Sequence, residues 1–106
     1  MRQKYYIEKF RYLELYYFCL QYDEKKRRIS NTEDEAEKSR LKKDIEMIDT
    51  ALLLAADSEA VAICIKKNVT CKNMPWERQN VPIGRRQFYE KRRKFFWILS
   101  RIRSIS

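Results

Sequence analysis

The chain has 106 residues, with one Gly, two Pro, no His and a formal net charge of +9. Its length suits one domain, or a domain with an arm. The scarcity of Gly and Pro excludes folds built on many tight turns, and the abundance of Lys, Arg, Glu and Leu predicts an all-α class. The charge is uneven: residues 1–71 hold 14 Lys/Arg against 13 Asp/Glu, whereas residues 72–106 hold 10 against 2, so nearly all the excess lies in the last third.

Residues 4–28 read as one long helix. Tyr6, Phe10, Leu13, Tyr17 and Leu20 step by four and three residues and fall on one stripe, flanked by Tyr12, Tyr16 and Cys19. Six of the seven tyrosines lie here. Their packing spacing, and the small charge excess of the segment, assign them to core or subunit interface rather than to base stacking.

Ser30 and Glu33 fit a capping box, and Glu33, Asp34, Glu35 and Glu37 suit the positive end of a second helix that runs to about Ala56. Leu41, Ile45, Ile48, Leu52 and Ala55 form its stripe. Two stripes of equal period joined by a short connection predict a long antiparallel helical hairpin over 1–56. The same stripes are equally compatible with pairing between two chains.

Asp57-Ser58 supplies the next cap, before an apolar helix of roughly 59–69 with Ala60, Val61, Ile63, Cys64, Ile65 and Val69. Thr70 to Asn73 breaks the pattern. Pro75 then opens a short helix, about 75–80, with Trp76 as its large anchor. Val81-Pro82-Ile83-Gly84 is a turn. From Arg85 to about Ile102 the helical pattern returns, with Phe88, Phe95, Leu99 and Ile102 on one face and Arg85, Arg86, Tyr89, Glu90 and Arg93 on the other.

A short helix, a turn and a longer basic helix is the order of a helix-turn-helix, here over 57–106. Its second helix, about 85–102, is expected in the major groove of double-stranded DNA. Arg85, Arg86 and Gln87 are the residue types that read guanine and adenine edges, and Arg92, Arg93 and Lys94, with Lys91, suit phosphates. Such a localised basic field also suits anionic lipid or an acidic protein; the turn and the Pro-capped segment before it favour nucleic acid.

The other classes have less support. No His, Gly-rich phosphate loop or isolated carboxylate pair points to an enzyme. Cys19, Cys64 and Cys71 form no CxxC pair, so no metal or cofactor is expected. They read as small buried or half-buried thiols in a reducing setting, Cys71 having Lys72, Lys66 and Lys67 near it. No run approaches the ~18–20 apolar residues of a membrane span, and Met1 to Phe10 lacks the apolar core of a signal peptide. A cytoplasmic protein with no membrane partner is expected.

The stretch from Ala55 to Ile102 resembles small phage-encoded transcriptional regulators of the RinA and ArpU type, whose C-terminal parts look like the DNA-binding region 4 of sigma factors. Met74-Pro75-Trp76-Glu77, Val81-Pro82-Ile83-Gly84-Arg85-Arg86-Gln87-Phe88-Tyr89 and Arg92-Arg93-Lys94-Phe95-Phe96 carry the resemblance. It implies control of late or packaging genes of a phage or prophage in a bacterial host, with Arg85, Arg86, Gln87, Tyr89 and Arg93 facing DNA and Phe88 and Phe95 buried. The aromatic hairpin, which the resemblance does not cover, suits RNA polymerase or another regulator as a partner. Binding to paired half-sites favours a homodimer.

Overall fold

In the computed structural model, which describes residues 4–105, the chain forms five helices: α1 (Lys9–Leu20), α2 (Tyr22–Asn31), α3 (Glu35–Ala55), α4 (Glu59–Thr70) and α5 (Arg85–Ile105). The class is all-α, and no strand occurs among the described residues. None of the described helices is long and apolar enough to cross a membrane.

The single first helix expected over 4–28 is two helices. At Gln21 the backbone N–H bonds back to Phe18 O, three residues away, at 3.3 Å. The Gln21 side chain takes the Tyr17 carbonyl that the ladder leaves, also at 3.3 Å. The chain thereby changes direction at an ordinary residue, without Gly or Pro.

The break gives the two halves different partners. α2 runs back along α3 from Asp49 to Glu37, tied by three polar contacts in antiparallel order. Tyr22 donates to Asp49 at 2.8 Å, Lys25 pairs with Asp44 at 3.0 Å, and Arg28 pairs with Glu37. Lys25 is only 7 % exposed, with its ammonium 4.0 Å from the centre of the Phe18 ring. α1 instead packs chiefly on α5 and α4, so the expected long hairpin does not extend to it.

The buried face of α1 also differs from the expected stripe. Leu15, Phe18 and Cys19 are buried, whereas Tyr6, Phe10 and Tyr17 are exposed and Leu13 and Leu20 half-buried. Both faces of α1 are apolar, so its own periodicity does not select the inner one; contact with α4 and α5 does.

In α3 all five expected positions, Leu41, Ile45, Ile48, Leu52 and Ala55, are buried. Its cap is Asp34 rather than Ser30. The Asp34 carboxylate accepts from the N–H groups of Ala36 and Glu37 at 3.0 and 3.3 Å. Ser30 is inside α2, where its hydroxyl donates to Lys26 O. Glu37 does reach back, but to the Thr32 hydroxyl, at 3.2 Å.

α4 starts where expected, with Ser58 accepting from Val61 N–H at 3.2 Å. It buries Val61, Ile65 and Val69. α5 lies antiparallel along α3: Lys91 meets Asp57 just beyond the end of α3, and Ile102 and Ile105 share a groove with Met47 and Thr50. One continuous apolar cluster includes Leu15, Ile48, Ile65, Phe88 and Leu99, and so draws on α1, α3, α4 and α5 together.

Candidate nucleic-acid interface

The segment between α4 and α5 orients the start of α5. Where a helix of 75–80 was expected, a single 3-10 turn forms at Trp76–Arg78. The link from α4 to α5 is therefore an ordered loop rather than a helix and a tight turn. Asn68 and Gln79 side chains both donate to Met74 O at 3.1 Å, and Gln79 also reaches Cys64 O at 3.0 Å. Trp76 is the anchor, as expected: its indole N–H donates to Ile83 O at 2.9 Å, closing the turn, and its backbone N–H donates to the Tyr89 hydroxyl at 3.3 Å. Asn73 carries the left-handed backbone of this loop, φ 64°, a conformation Asn tolerates better than most residues.

Gly84 does not use the freedom of a glycine, because its φ is not positive. Nor is its small size needed: a Cβ there would meet nothing within 4 Å, so the space beside the N-terminus of α5 is open. No acidic residue occupies the first turn of α5.

The expected contact residues separate into groups. Arg85, Arg86, Gln87 and Arg93 are exposed, along with Glu90, while Phe88, Phe95, Phe96 and Leu99 are buried beneath them. Arg86 is open, with 94 % of its side chain exposed, and has Glu90 one turn on at 3.6 Å. Arg85 is held: its Nε donates to Glu77 at 2.7 Å and its guanidinium lies 5.1 Å from the Tyr89 ring centre. That bond keeps the Glu77 carboxyl below the ordinary carboxylate range and raises the Arg85 guanidinium further.

Tyr89 and Arg92 are drawn inward instead. Tyr89 is half-buried, its ring edge-on to Phe88 and its hydroxyl occupied by Trp76. Arg92, expected at a phosphate, points to α1 and α4. It donates to the Asn68 side-chain oxygen Oδ1 and, at 3.0 Å, to the Tyr12 hydroxyl, and it lies over the Phe96 ring at 4.9 Å. The spacing carries this signal in retrospect, because Phe88, Arg92, Phe95 and Leu99 step by four, three and four along one face. Lys91 is likewise bound, to Asp57, whose carboxyl it holds below the ordinary range by hydrogen bond and charge.

Lys94 and Arg93 flank a feature the sequence did not disclose. The arm before α1 crosses α5: Tyr5 sits edge-on to Trp97 with ring centres 5.3 Å apart, and Lys94 lies 5.9 Å from the Tyr5 ring. Tyr5 has φ 68°, unfavourable for an aromatic residue. On one side of it a cleft of about 300 Å³ is lined by Tyr6, Tyr12, Tyr89 and Arg93; on the other, one of about 410 Å³ by Ile83, Gln87, Glu90 and Lys94. The arm thus covers part of the outer face of α5 just beyond Arg93.

Among the described residues no group of three or more His, Cys, Asp or Glu side chains is placed to hold a metal ion. The cysteines are free: Cys19 is buried, and Cys64 and Cys71 are half-buried. Compared with protein-family models, curated proteins and solved structures, the chain matches none.

Proposed function

We propose that the chain is a sequence-specific regulator that binds double-stranded DNA through the first turns of α5. The observation that carries this reading is the outward row of Arg85, Arg86, Gln87 and Arg93 above a buried base of Phe88 and Phe95. Arg and Gln side chains on an exposed helix start are suited to base edges, and Arg93 to a phosphate. The open N-terminus at Gly84 lets a phosphate backbone come close to the helix.

The contact set is narrower than the one expected from sequence. Tyr89 and Arg92 support the helix from below, and the groove-facing segment is Arg85 to Arg93 rather than all of 85–102. α4 and its ordered loop take the place of the supporting helix and turn. The resemblance to RinA- and ArpU-type regulators extends the reading to late or packaging genes of a phage or prophage, in a bacterial cytoplasm.

Selection of bound sequences from random duplex DNA, followed by a salt series on the selected site, tests the proposal. An enriched motif is expected, with affinity falling steeply as salt rises, by a log–log slope of roughly −0.9 per phosphate neutralised. An affinity that barely changes with ionic strength, or the absence of any enriched motif, overturns it.

A further inference from the structure

A groove of about 570 Å³ lies between α2, α3 and the last turns of α5, at the opposite end of α5 from Arg85. Its walls follow from helical spacing. Gln21, Lys25 and Arg28 step by four and three at the start and along the length of α2. Arg40, Lys43 and Met47 step by three and four along α3. Each set therefore falls on one side of its helix, and Arg103 completes the lining from α5.

The lining is unevenly charged. Lys25, Arg28, Arg40, Lys43 and Arg103 stand against two carboxylates, Asp44 and Glu37. Both carboxylates are already taken, Asp44 by Lys25 at 3.0 Å and Glu37 by Arg28. Arg40 and Lys43 are exposed and have no ion-pair or hydrogen-bond partner among the described residues. Like charges one turn apart on a helix repel, so the groove holds a pair whose repulsion an anion would relieve.

Two of the cations are built into the fold. Lys25 is more than nine-tenths buried, and its ammonium and the Arg103 guanidinium lie 4.0 and 3.8 Å from the centre of the Phe18 ring. Their field reaches the core. Burial raises the Cys19 thiol, and Arg92, Lys25 and Arg103 all oppose that rise.

We infer that this groove binds a small, multiply charged phosphoryl anion, with Arg40 and Lys43 as its principal contacts. A guanidinium can hold two oxygens of such a group at once, and an ammonium adds a point charge. The volume is within the range that takes one small ligand. The excess of three positive charges in the lining suits an anion of two or more charges. Leu41 and Met47, which also line the groove, are buried, leaving little apolar surface to hold a hydrocarbon tail. None of these residues belongs to the Arg85–Arg93 segment, so the inference does not rest on the proposed function.

Titration of the full chain with inorganic triphosphate, without DNA and at constant ionic strength, tests this by amide NMR. The amides of Gln21, Lys25, Arg40 and Lys43 are expected to shift together, with half-saturation below about 1 mM. Arg40→Gln with Lys43→Gln should weaken binding about tenfold, with helical circular dichroism unchanged because both side chains are exposed. Lys42→Gln with Lys67→Gln removes the same charge at exposed positions outside the groove. That variant should stay within about twofold of wild type. The absence of a saturable shift at the groove amides, or an affinity that survives the Arg40 and Lys43 changes, overturns the inference. An equal loss in both double variants also overturns it, because the attraction is then that of any basic surface. Duplex DNA decides the source of the phosphate: the Arg40 and Lys43 changes should leave the salt slope of DNA binding unaltered. A slope lower by about 1 to 2 puts a nucleic-acid backbone in the groove and overturns the small ligand. A chain that binds triphosphate here but no duplex would sink the proposed function and leave this inference standing.

Discussion

The Arg92 guanidinium donates a hydrogen bond to the Tyr12 hydroxyl at 3.0 Å, joining residues 80 positions apart in sequence. With its second bond to Asn68 it locks α5 to α1 and α4 together. Arg92 and its neighbour Arg93 therefore separate stability from binding. Arg92→Ala is expected to cost about 2–3 kcal/mol in urea unfolding, from lost charge-assisted hydrogen bonds. Arg93→Ala should stay within about 0.5 kcal/mol of wild type, yet lower the salt slope of DNA binding by about 1. Equal stability of the two variants would contradict this division.

Glu77 competes with DNA for Arg85. The pair is exposed, so Glu77→Ala should change stability by less than about 1 kcal/mol. The released guanidinium should tighten binding at low salt and steepen the log–log slope by about 1. Titrations of the two proteins over the same salt range check it; an unchanged affinity would remove Arg85 from the interface.

The start of α3 gives a local test of the cap. Asp34→Ala should lose about 1 kcal/mol, because two N–H groups lose their acceptor. Ser30→Ala, within α2, should be neutral or gain up to about 0.5 kcal/mol. Denaturant midpoints of the two variants distinguish them.

Burial pushes the Cys19 thiol up to about 12, against the opposing pull of Arg92, Lys25 and Arg103. Near pH 8 the folded chain should therefore expose two thiols to a disulfide-exchange reagent and release the third only on unfolding. Because the folded form holds its proton longer than the unfolded one, this contribution to stability is complete below the ordinary thiol range. It falls as pH rises through that range towards about 12. Tyr22, raised by burial and by Asp49, acts in the same direction. Cys19→Ala should flatten part of the alkaline loss seen in unfolding curves taken across pH.

The legible parts of the sequence were those with one apolar face. α3 has a single stripe, and every residue of it is buried. α1 has two, and the choice between them belongs to α4 and α5, which no local period encodes. The break at Gln21 lacked a Gly or Pro to mark it. Several residues before α3 had capping chemistry, and the one used, Asp34, sits nearest the apolar run. At the candidate interface, Phe88 and Phe95 were readable as the buried base and Arg85 to Gln87 as the exposed start. Glu77 was not, because its bond to Arg85 spans a non-helical turn to which no spacing rule applies. Tyr6 continues the four-and-three period of α1, so no local pattern separates the arm at Tyr5 from the helix after it.

The break at Gln21 also divides the chain by the cost of closing loops. The α2–α3 ties join residues 9 to 27 apart, whereas those of α1 to α5 join residues 80 to 93 apart. Closing the longer loops restricts more of the chain before any contact rewards it. The α2–α3 pair is thus expected to form before α1 docks on α4 and α5. The same ordering makes α1 the segment that opens at least expense in the folded protein, and amide exchange along Lys9–Leu20 should outpace that along Leu41–Leu52.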